Sequence, residues 1–264
     1  MVRLRIGHFW FFLFLFLASC VVVRADSVGA SLQLEGAMSV FRGTQYLVHE
    51  QLPDGSWRHD PAVTSLAACS LQNARVTEPA AAIPLALAFL KQNIRRTDDW
   101  RRAIDLRALL RAKQADGLQP PAMTDCPPAA RLWLLDAILL LTQKGNDKIQ
   151  LQDSFFKGLE PYQTFAAKLS TATDGVESLS PLRQEMRLTN WKEAPIETIY
   201  WAARALFAWD RAATPVQDNW QHDILSALLV RQKGDGAWHL PDDSPEATVR
   251  QTALAIETII LCLQ

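Results

Sequence analysis

Two glutamates on apolar predicted helices could form an acid/base pair. Glu197 lies in a helix predicted over 194–210, and Glu257 lies in one predicted over 245–263. Two carboxylates facing one cavity are what a glycoside hydrolase requires. A charge on an otherwise buried helix is costly unless it is paired or faces water. Both glutamates are therefore candidates for catalysis, while salt bridges between neighbouring helices would also explain them.

Arginines and aromatic side chains accompany these glutamates. Arg204 lies seven residues after Glu197 and Arg250 seven before Glu257, so each pair shares one face of its helix. Ligand pockets often combine an aromatic wall with a few polar groups. The further candidates for lining a cavity or binding a ligand are Trp133, Tyr200, Trp201, Arg204 and Arg250.

Histidines and aspartates follow two tryptophans in predicted loops. If these loops lie on one rim of the fold, an imidazole and carboxylates there could form an acid/base or metal site. Alternatively, Asp60 caps a helix and the others are solvated loop residues, which is the interpretation we favour. The rim candidates are His59, Asp60, His239, Asp242 and Asp243.

The overall charge argues against nucleic-acid binding, because a net charge of −1 creates no attractive field. An arginine-rich segment contains interleaved aspartates, with Arg101 and Asp105 four apart on one helix face. We predict a solvated helix surface for this cluster, which comprises Arg95, Arg96, Arg101, Arg102, Arg107 and Arg111. No Gly-x-Ser-x-Gly, His-Glu-x-x-His or phosphate-binding glycine-rich motif occurs, and we predict neither cofactor nor metal.

The elements that must position these residues are all predicted to be helices. Ala, Leu, Gln and Arg dominate, and strand-like alternation is absent. Helices 98–114 and 217–232 are amphipathic, whereas 129–142 and 196–208 are apolar nearly all round. These two kinds imply an inner layer wrapped by an outer one. We predict ten helices, over 34–51, 62–74, 79–94, 98–114, 128–143, 147–169, 179–188, 194–210, 217–232 and 245–263.

A short motif occurs twice between paired helices. Both copies read Gln, two residues, Asp-Gly, one residue, Trp, and each leads into an apolar helix that contains threonine. Asp-Gly makes a tight turn in which glycine adopts positive φ, and the Trp can fold back on the preceding helix end. Residues 114–117 form a partial third copy without the Trp. The repeat residues are Gln51, Asp54, Gly55, Trp57, Gln232, Asp235, Gly236 and Trp238.

This motif resembles the repeats of the terpenoid cyclase and protein prenyltransferase superfamily, in particular its squalene-hopene cyclase branch. The resemblance covers residues 45–262. It implies an α/α toroid, in which inner helices are surrounded by outer ones. Full members close a ring of six hairpins, whereas ten helices make about five, so the ring could be incomplete.

The catalytic motifs of that superfamily are missing. No Asp-x-Asp-Asp occurs, since Asp242-Asp243 is preceded by Leu240 at the position of the first aspartate. Asp125 and Cys126 are adjacent, which does not match the Asp-x-Cys zinc pattern of prenyltransferases. The Gly-Cys-Gly-Glu-Gln thioester motif is absent too. The resemblance therefore implies the fold, whereas the missing motifs argue against these activities.

The first 25 residues are predicted to be a signal peptide. Arg3 and Arg5 precede the apolar run 9–17, which is too short for a stable membrane anchor. Leu17-Ala18-Ser19-Cys20 also resembles a bacterial lipoprotein box, so lipid anchoring at Cys20 and soluble export are both open. We expect a toroid domain over 26–264, located in the periplasm, secreted or attached to the cell envelope.

Three cysteines follow the leader. An odd number does not make a complete disulfide framework, and one bridge would suit an oxidising compartment. We expect Cys69 and Cys262 to be buried thiols, and the sequence does not reveal how either relates to Cys126.

The sequence leaves three functional hypotheses. The first is a non-cyclase binding or accessory protein that holds an apolar ligand, a glycan or a partner protein, with no nucleic acid and no membrane contact except through Cys20. The second is an enzyme acting on a polysaccharide through Glu197 or Glu257. The third is a cyclase-like subunit that needs a partner to supply the missing aspartates.

Overall fold

The described residues form helices and no strand, as the sequence predicts. A computed structural model describes residues 28–75, 81–94, 101–114, 130–133, 135–136, 189–212 and 219–264. The predicted helices 147–169 and 179–188, the signal peptide and Cys126 lie outside these residues. The helices with described bounds are α1 Ala30–His49, α2 Pro61–Asn73, α3 Ala82–Asn93, α4 Arg102–Arg111, α5 Ile196–Ala212, α6 Trp220–Leu229 and α7 Pro245–Cys262. Residues 130–133 and 135–136 are also helical, and they are called the 130–136 segment below.

The helix starts are fixed by capping. The carboxylate of Asp60 accepts a hydrogen bond from the backbone N–H of Val63 at 2.9 Å, and Ser244 accepts from Ala247 at 3.1 Å. A proline follows each cap and is already set in the helical φ range. The predicted cap at Asp60 is confirmed.

Two kinds of helix are present. The outer helices α1, α3 and α6 bury one face, whereas α2, α4 and α7 are buried on nearly all sides. Helix α7 contacts α1, α2 and α5, and α2 contacts α3 and α4. The last described helix therefore lies beside the first one, and the inner helices meet in the centre.

One prediction about the layers was wrong. Helix α4 was expected to be amphipathic with a solvated arginine surface, but residues 103–110 are all buried, Arg107 and Asp105 among them. The expectation holds for Arg101, which is exposed, whereas Arg102 and Arg111 are half-buried and Arg95 and Arg96 lie outside the described residues. The mean hydropathy of a helix does not reveal that one of its charged residues is buried. A charged side chain can be buried when it forms an ion pair with an oppositely charged one. Helix α4 is thus an inner helix.

Candidate functional site

The first repeat loop joins α1 to α2 and docks on α3. The side-chain amide of Gln51 donates to the carbonyl oxygens of Gly55 at 3.0 Å and of Ala82 at 2.8 Å. Gly55 has a φ of 87°, and a Cβ there would lie 2.4 Å from the carbonyl oxygen of Leu85. Only glycine fits this position, because a side chain would be strained and would also clash with the α3 backbone.

The second repeat loop joins α6 to α7 and docks on α1 in the same way. Gln232 donates to the carbonyl oxygens of Gly236 and Ser39, both at 2.9 Å. Gly236 has a φ of 91°, and a Cβ there would lie 2.5 Å from the carbonyl oxygen of Arg42. Ser39 and Arg42 are three residues apart, as are Ala82 and Leu85 in the first contact. Helices α1 and α3 therefore receive equivalent loops.

The repeat tryptophans fold back on the preceding helix, as expected, but their contact is with its backbone. The indole N–H of Trp57 donates to the carbonyl oxygen of Leu47 at 2.7 Å, and that of Trp238 donates to Leu228 at 2.8 Å. Both rings are fully buried. The backbone N–H of each tryptophan donates to a threonine of the following helix, Thr64 at 3.0 Å and Thr252 at 3.1 Å.

The repeat aspartates each close a turn, and a histidine lies near each of them. Asp54 accepts from the backbone of Ser56, and Asp235 from that of Ala237, both at 2.9 Å. His59 lies 2.8 Å from Asp54 and His239 lies 3.8 Å from Asp235. The hydrogen bond from Ser56 is the largest of the effects that lower the pKa of Asp54.

Two of the three remaining rim candidates, Asp60 and Asp243, have structural contacts. Asp60 is the cap of α2, and Asp243 accepts from the backbone of Leu240 at 2.5 Å and from Gln251 at 2.9 Å. Asp242 is exposed. Among the residues that the structure describes, no group of three or more His, Cys, Asp or Glu side chains could hold a metal ion.

The inner helices meet at a buried ionic network centred on Arg107 of α4. Its guanidinium donates from Nη1 and Nη2 to the two oxygens of Glu257 at 2.9 and 2.8 Å, and from Nε to Asp136 at 2.7 Å. Arg204 donates to the other oxygen of Asp136 at 2.5 Å. The Tyr200 hydroxyl accepts from both arginines, at 2.6 and 2.9 Å. Two cations thus balance two anions across α4, α5, α7 and the 130–136 segment.

Aromatic rings enclose this network. The rings of Trp133 and Tyr200 are stacked with their centroids 5.7 Å apart, and Trp201 contacts both edge-on. The guanidinium of Arg107 lies 5.3 Å from the Trp133 ring centroid, and that of Arg204 lies 5.5 Å from the Trp201 ring. The predicted cavity residues Trp133, Tyr200, Trp201 and Arg204 therefore come together and pack around ion pairs.

The network holds its groups in their charged forms. Burial alone would raise the pKa of Glu257, but the charges of Arg107, Arg111 and Arg204 outweigh burial and place the pKa below its usual range. The same competition, dominated on the lowering side by Arg204 and Arg107, holds the pKa of Asp136 well below its usual range. Burial raises the pKa of Tyr200 to about 12. Glu257, only 4 % exposed, is therefore a poor proton donor at neutral pH.

Glu197 lies apart from the network and faces the surface. One of its oxygens accepts from the indole N–H of Trp133 at 3.3 Å, and the other forms an ion pair with Arg250. Its carboxylate does not contact Glu257, so the two candidate acid/base groups occupy different surroundings. The Arg107–Glu257 pair was not predicted. The sequence signal for it is that apolar residues lie on both sides of Arg107 in the chain.

An open groove of about 750 Å³ lies beside Glu197. It runs between the start of α5, the end of α6, the second repeat loop and the start of α7. The groove includes Glu197, Arg250 and His239 of the predicted site residues, and its volume is typical of ligand pockets. Its other charged lining residues are Lys192, Glu193, Arg231, Lys233 and Glu246.

The two described cysteines are buried thiols, as expected. Cys69 and Cys262 are both free, and burial raises the pKa of Cys69 to about 11 and that of Cys262 further still. A thiol that is not deprotonated is a weak nucleophile, so neither is a candidate for covalent catalysis.

No family model, curated protein or solved structure matches this chain in sequence or fold. Within the described part of the chain, no helix has both the length and the apolar character needed to cross a bilayer. The assignment of function therefore depends on the geometry of the site.

Proposed function

We propose that this chain is an exported binding or accessory protein with a terpenoid cyclase-like α/α-toroid fold, in which the centre is a scaffold and the rim groove is the binding site. The observation that supports this proposal is the contrast between the centre, where the inner helices meet, and the groove. The centre holds a neutral ionic network whose carboxylates are both bound by arginines. The groove is open and combines apolar and charged lining residues.

The equivalent docking of the two repeat loops supports the toroid. The loop after α1 docks on α3, the next outer helix, and the loop after α6 docks on α1. Each hairpin thus contacts the outer helix of the hairpin that follows it around a ring. In that arrangement the C-terminal hairpin precedes the N-terminal one, in keeping with the contact between α7 and α1.

The polysaccharide-acting enzyme is less well supported. Glycoside hydrolysis needs one carboxyl group that gives up its proton and a second one that faces the same sugar. Glu257 is enclosed by Arg107, and Glu197 is bound by Arg250 and Trp133. The export of the chain, its lipid anchoring at Cys20 and the missing-subunit hypothesis remain predictions from the sequence.

The binding proposal can be tested by filling the groove in the protein of residues 26–264. Ala247 is half-buried in the groove wall, so Ala247→Trp places a large ring in the space. Ala37→Trp on the exposed face of α1 is the matched control. Neutral oligosaccharides, acidic oligosaccharides and random peptides are screened for a rise in melting temperature. A ligand of the groove stabilises the wild type and the control but not Ala247→Trp.

Catalysis is the outcome that would overturn this proposal. The wild-type protein is incubated with squalene and with cell-envelope polysaccharides, and the products are analysed. Turnover that disappears in Glu197→Gln, with an unchanged melting temperature, would make the groove an active site instead of a binding site.

A further inference from the structure

One cation of the groove has no anionic partner among the described residues. The Nη1 atom of Arg231 donates to the carbonyl oxygen of Ala194 at 2.6 Å and, at 3.5 Å, to that of Trp191. These contacts hold the half-buried guanidinium against the loop before α5, and no described carboxylate lies within ion-pair distance of it. Burial lowers the pKa of Arg231. Removing a cation from water without a counter-charge is unfavourable, and an incoming carboxylate would relieve this cost.

The other charged residues of the groove are either paired or exposed to solvent. Arg250 is already paired with Glu197. Lys192 and Lys233 are exposed and line the groove together with Arg231. Glu193 and Glu246 also line it and are exposed, like the two lysines, so water and salt screen all four charges. Among the described residues that line the groove, the partly desolvated charge without a counter-ion is thus the positive one of Arg231.

Two aliphatic side chains stand exposed at the groove. Val230 is 68 % exposed and Leu240 is 59 % exposed, and both line it. The aromatic lining residue, Trp238, is fully buried, so it presents no ring face on which a sugar could stack. Aliphatic side chains next to a charge match a peptide better than a polysaccharide.

We infer that the groove binds an extended segment of a partner protein in which an Asp or Glu side chain lies between apolar residues. The acidic side chain pairs with Arg231, whose planar guanidinium can bind a carboxylate through two hydrogen bonds. The apolar neighbours cover Val230 and Leu240. This inference rests on the proposed binding function and names the chemical class of its ligand.

The test is selection from a random peptide library displayed against the immobilised protein of residues 26–264. We expect enriched peptides to share an acidic residue flanked by apolar ones. Replacing that residue by its amide should weaken binding at least tenfold, or about 1.4 kcal/mol. Arg231→Gln should do the same, and added salt should weaken the wild-type complex. Arg42→Gln, an exposed arginine on α1, is the control and should bind like the wild type.

Because Arg231 also supports the loop before α5, a second variant separates recognition from folding. Val230→Ser with Leu240→Ser leaves every charge in place and should weaken the same peptides while the melting temperature stays unchanged. Equal binding of the selected peptides to wild type and Arg231→Gln would overturn the inference. So would enrichment of peptides without acidic residues.

The controls distinguish this inference from the proposed function. If neutral peptides are enriched and lose binding in Ala247→Trp, the groove is a binding site but its ligand is not acidic. If the enriched peptides bind Ala247→Trp as well as the wild type, or if neither a peptide nor an oligosaccharide binds the protein, both proposals fail. Binding of acidic oligosaccharides alone, lost in Ala247→Trp, would keep the binding function and reject a peptide ligand.

Discussion

Arg107 is the central residue of the buried ionic network. It joins Glu257, Asp136 and Tyr200 through four hydrogen bonds, and it is only 1 % exposed. A buried ion pair contributes little net stability, because both charges lose their hydration. Removing one partner is different, since it leaves the other charge buried alone.

We therefore predict that Arg107→Met lowers the free energy of unfolding by about 3–5 kcal/mol. Arg250→Met breaks the partly exposed pair with Glu197 and should cost less than about 1 kcal/mol. Urea denaturation followed by circular dichroism measures both. Arg107→Met combined with Glu257→Leu should recover part of the loss, because the remaining Asp136–Arg204 pair is balanced. Similar losses in the two single variants would contradict the buried network.

At the scale of the element, the two repeat loops show why a seven-residue pattern can specify an interface. Each loop uses Gln to bind two carbonyl oxygens, one of its own loop and one of the next outer helix. Each glycine allows the loop backbone to approach that helix. The motif thus determines both the turn and the neighbour on which it docks.

Alanine at the two repeat glycines tests this close approach. Gly55→Ala and Gly236→Ala require positive φ and a Cβ within 2.5 Å of a carbonyl oxygen, so each should destabilise the protein by more than about 1 kcal/mol. Gly234 is the matched control, because it lies in the same loop as Gly236 and a Cβ there has no atom within 4 Å. Thermal melts of the three variants measure the effect. A loss at Gly234→Ala as large as the others would show that loop rigidity, not docking, is responsible.

At the scale of the whole molecule, the ionic network joins inner helices that are distant in sequence. Asp136 and Glu257 have pKa values below their usual range in the folded protein, so the unfolded chain binds protons more readily. Their contribution to stability is present above the unfolded carboxyl pKa of about 4 and is lost as the pH falls toward the folded values.

We therefore expect the free energy of unfolding to decrease as the pH is lowered from about 6 to about 3. Glu257→Gln removes one of the two groups and should reduce this slope, although it also lowers stability at neutral pH. Denaturation curves at several pH values measure the slope in both proteins. An identical pH dependence in wild type and variant would mean that other carboxylates control acid unfolding.

The contact between the first and the last described helices is also a property of the whole molecule. Helix α1 packs against α6 and α7, and Gln232 near the C-terminal end binds Ser39 near the N-terminal end. The Ser39 hydroxyl donates to the side-chain oxygen of Gln232 at 2.7 Å, and the side-chain amide of Gln232 donates to the backbone carbonyl oxygen of Ser39 at 2.9 Å. The two ends of the described chain therefore stabilise each other.

The sequence by itself determined the helices, their caps and the repeat loops. These features depend on contacts between residues that are close in the chain, such as Asp60 with Val63 or Trp57 with Leu47. Proline after a capping residue and Asp-Gly in a turn have local causes, so a local pattern predicts them. The partners of the charged residues have no such pattern.

Only the tertiary structure decided which charges are buried and where a groove opens. Arg107 lies 150 residues before Glu257, and the same arginine-rich stretch would suit a solvated surface. A buried charge is tolerated only when its counter-charge arrives from another helix, and that meeting depends on how the helices pack. The same packing brought the predicted cavity residues Trp133, Tyr200 and Trp201 around ion pairs and left an open groove beside Glu197.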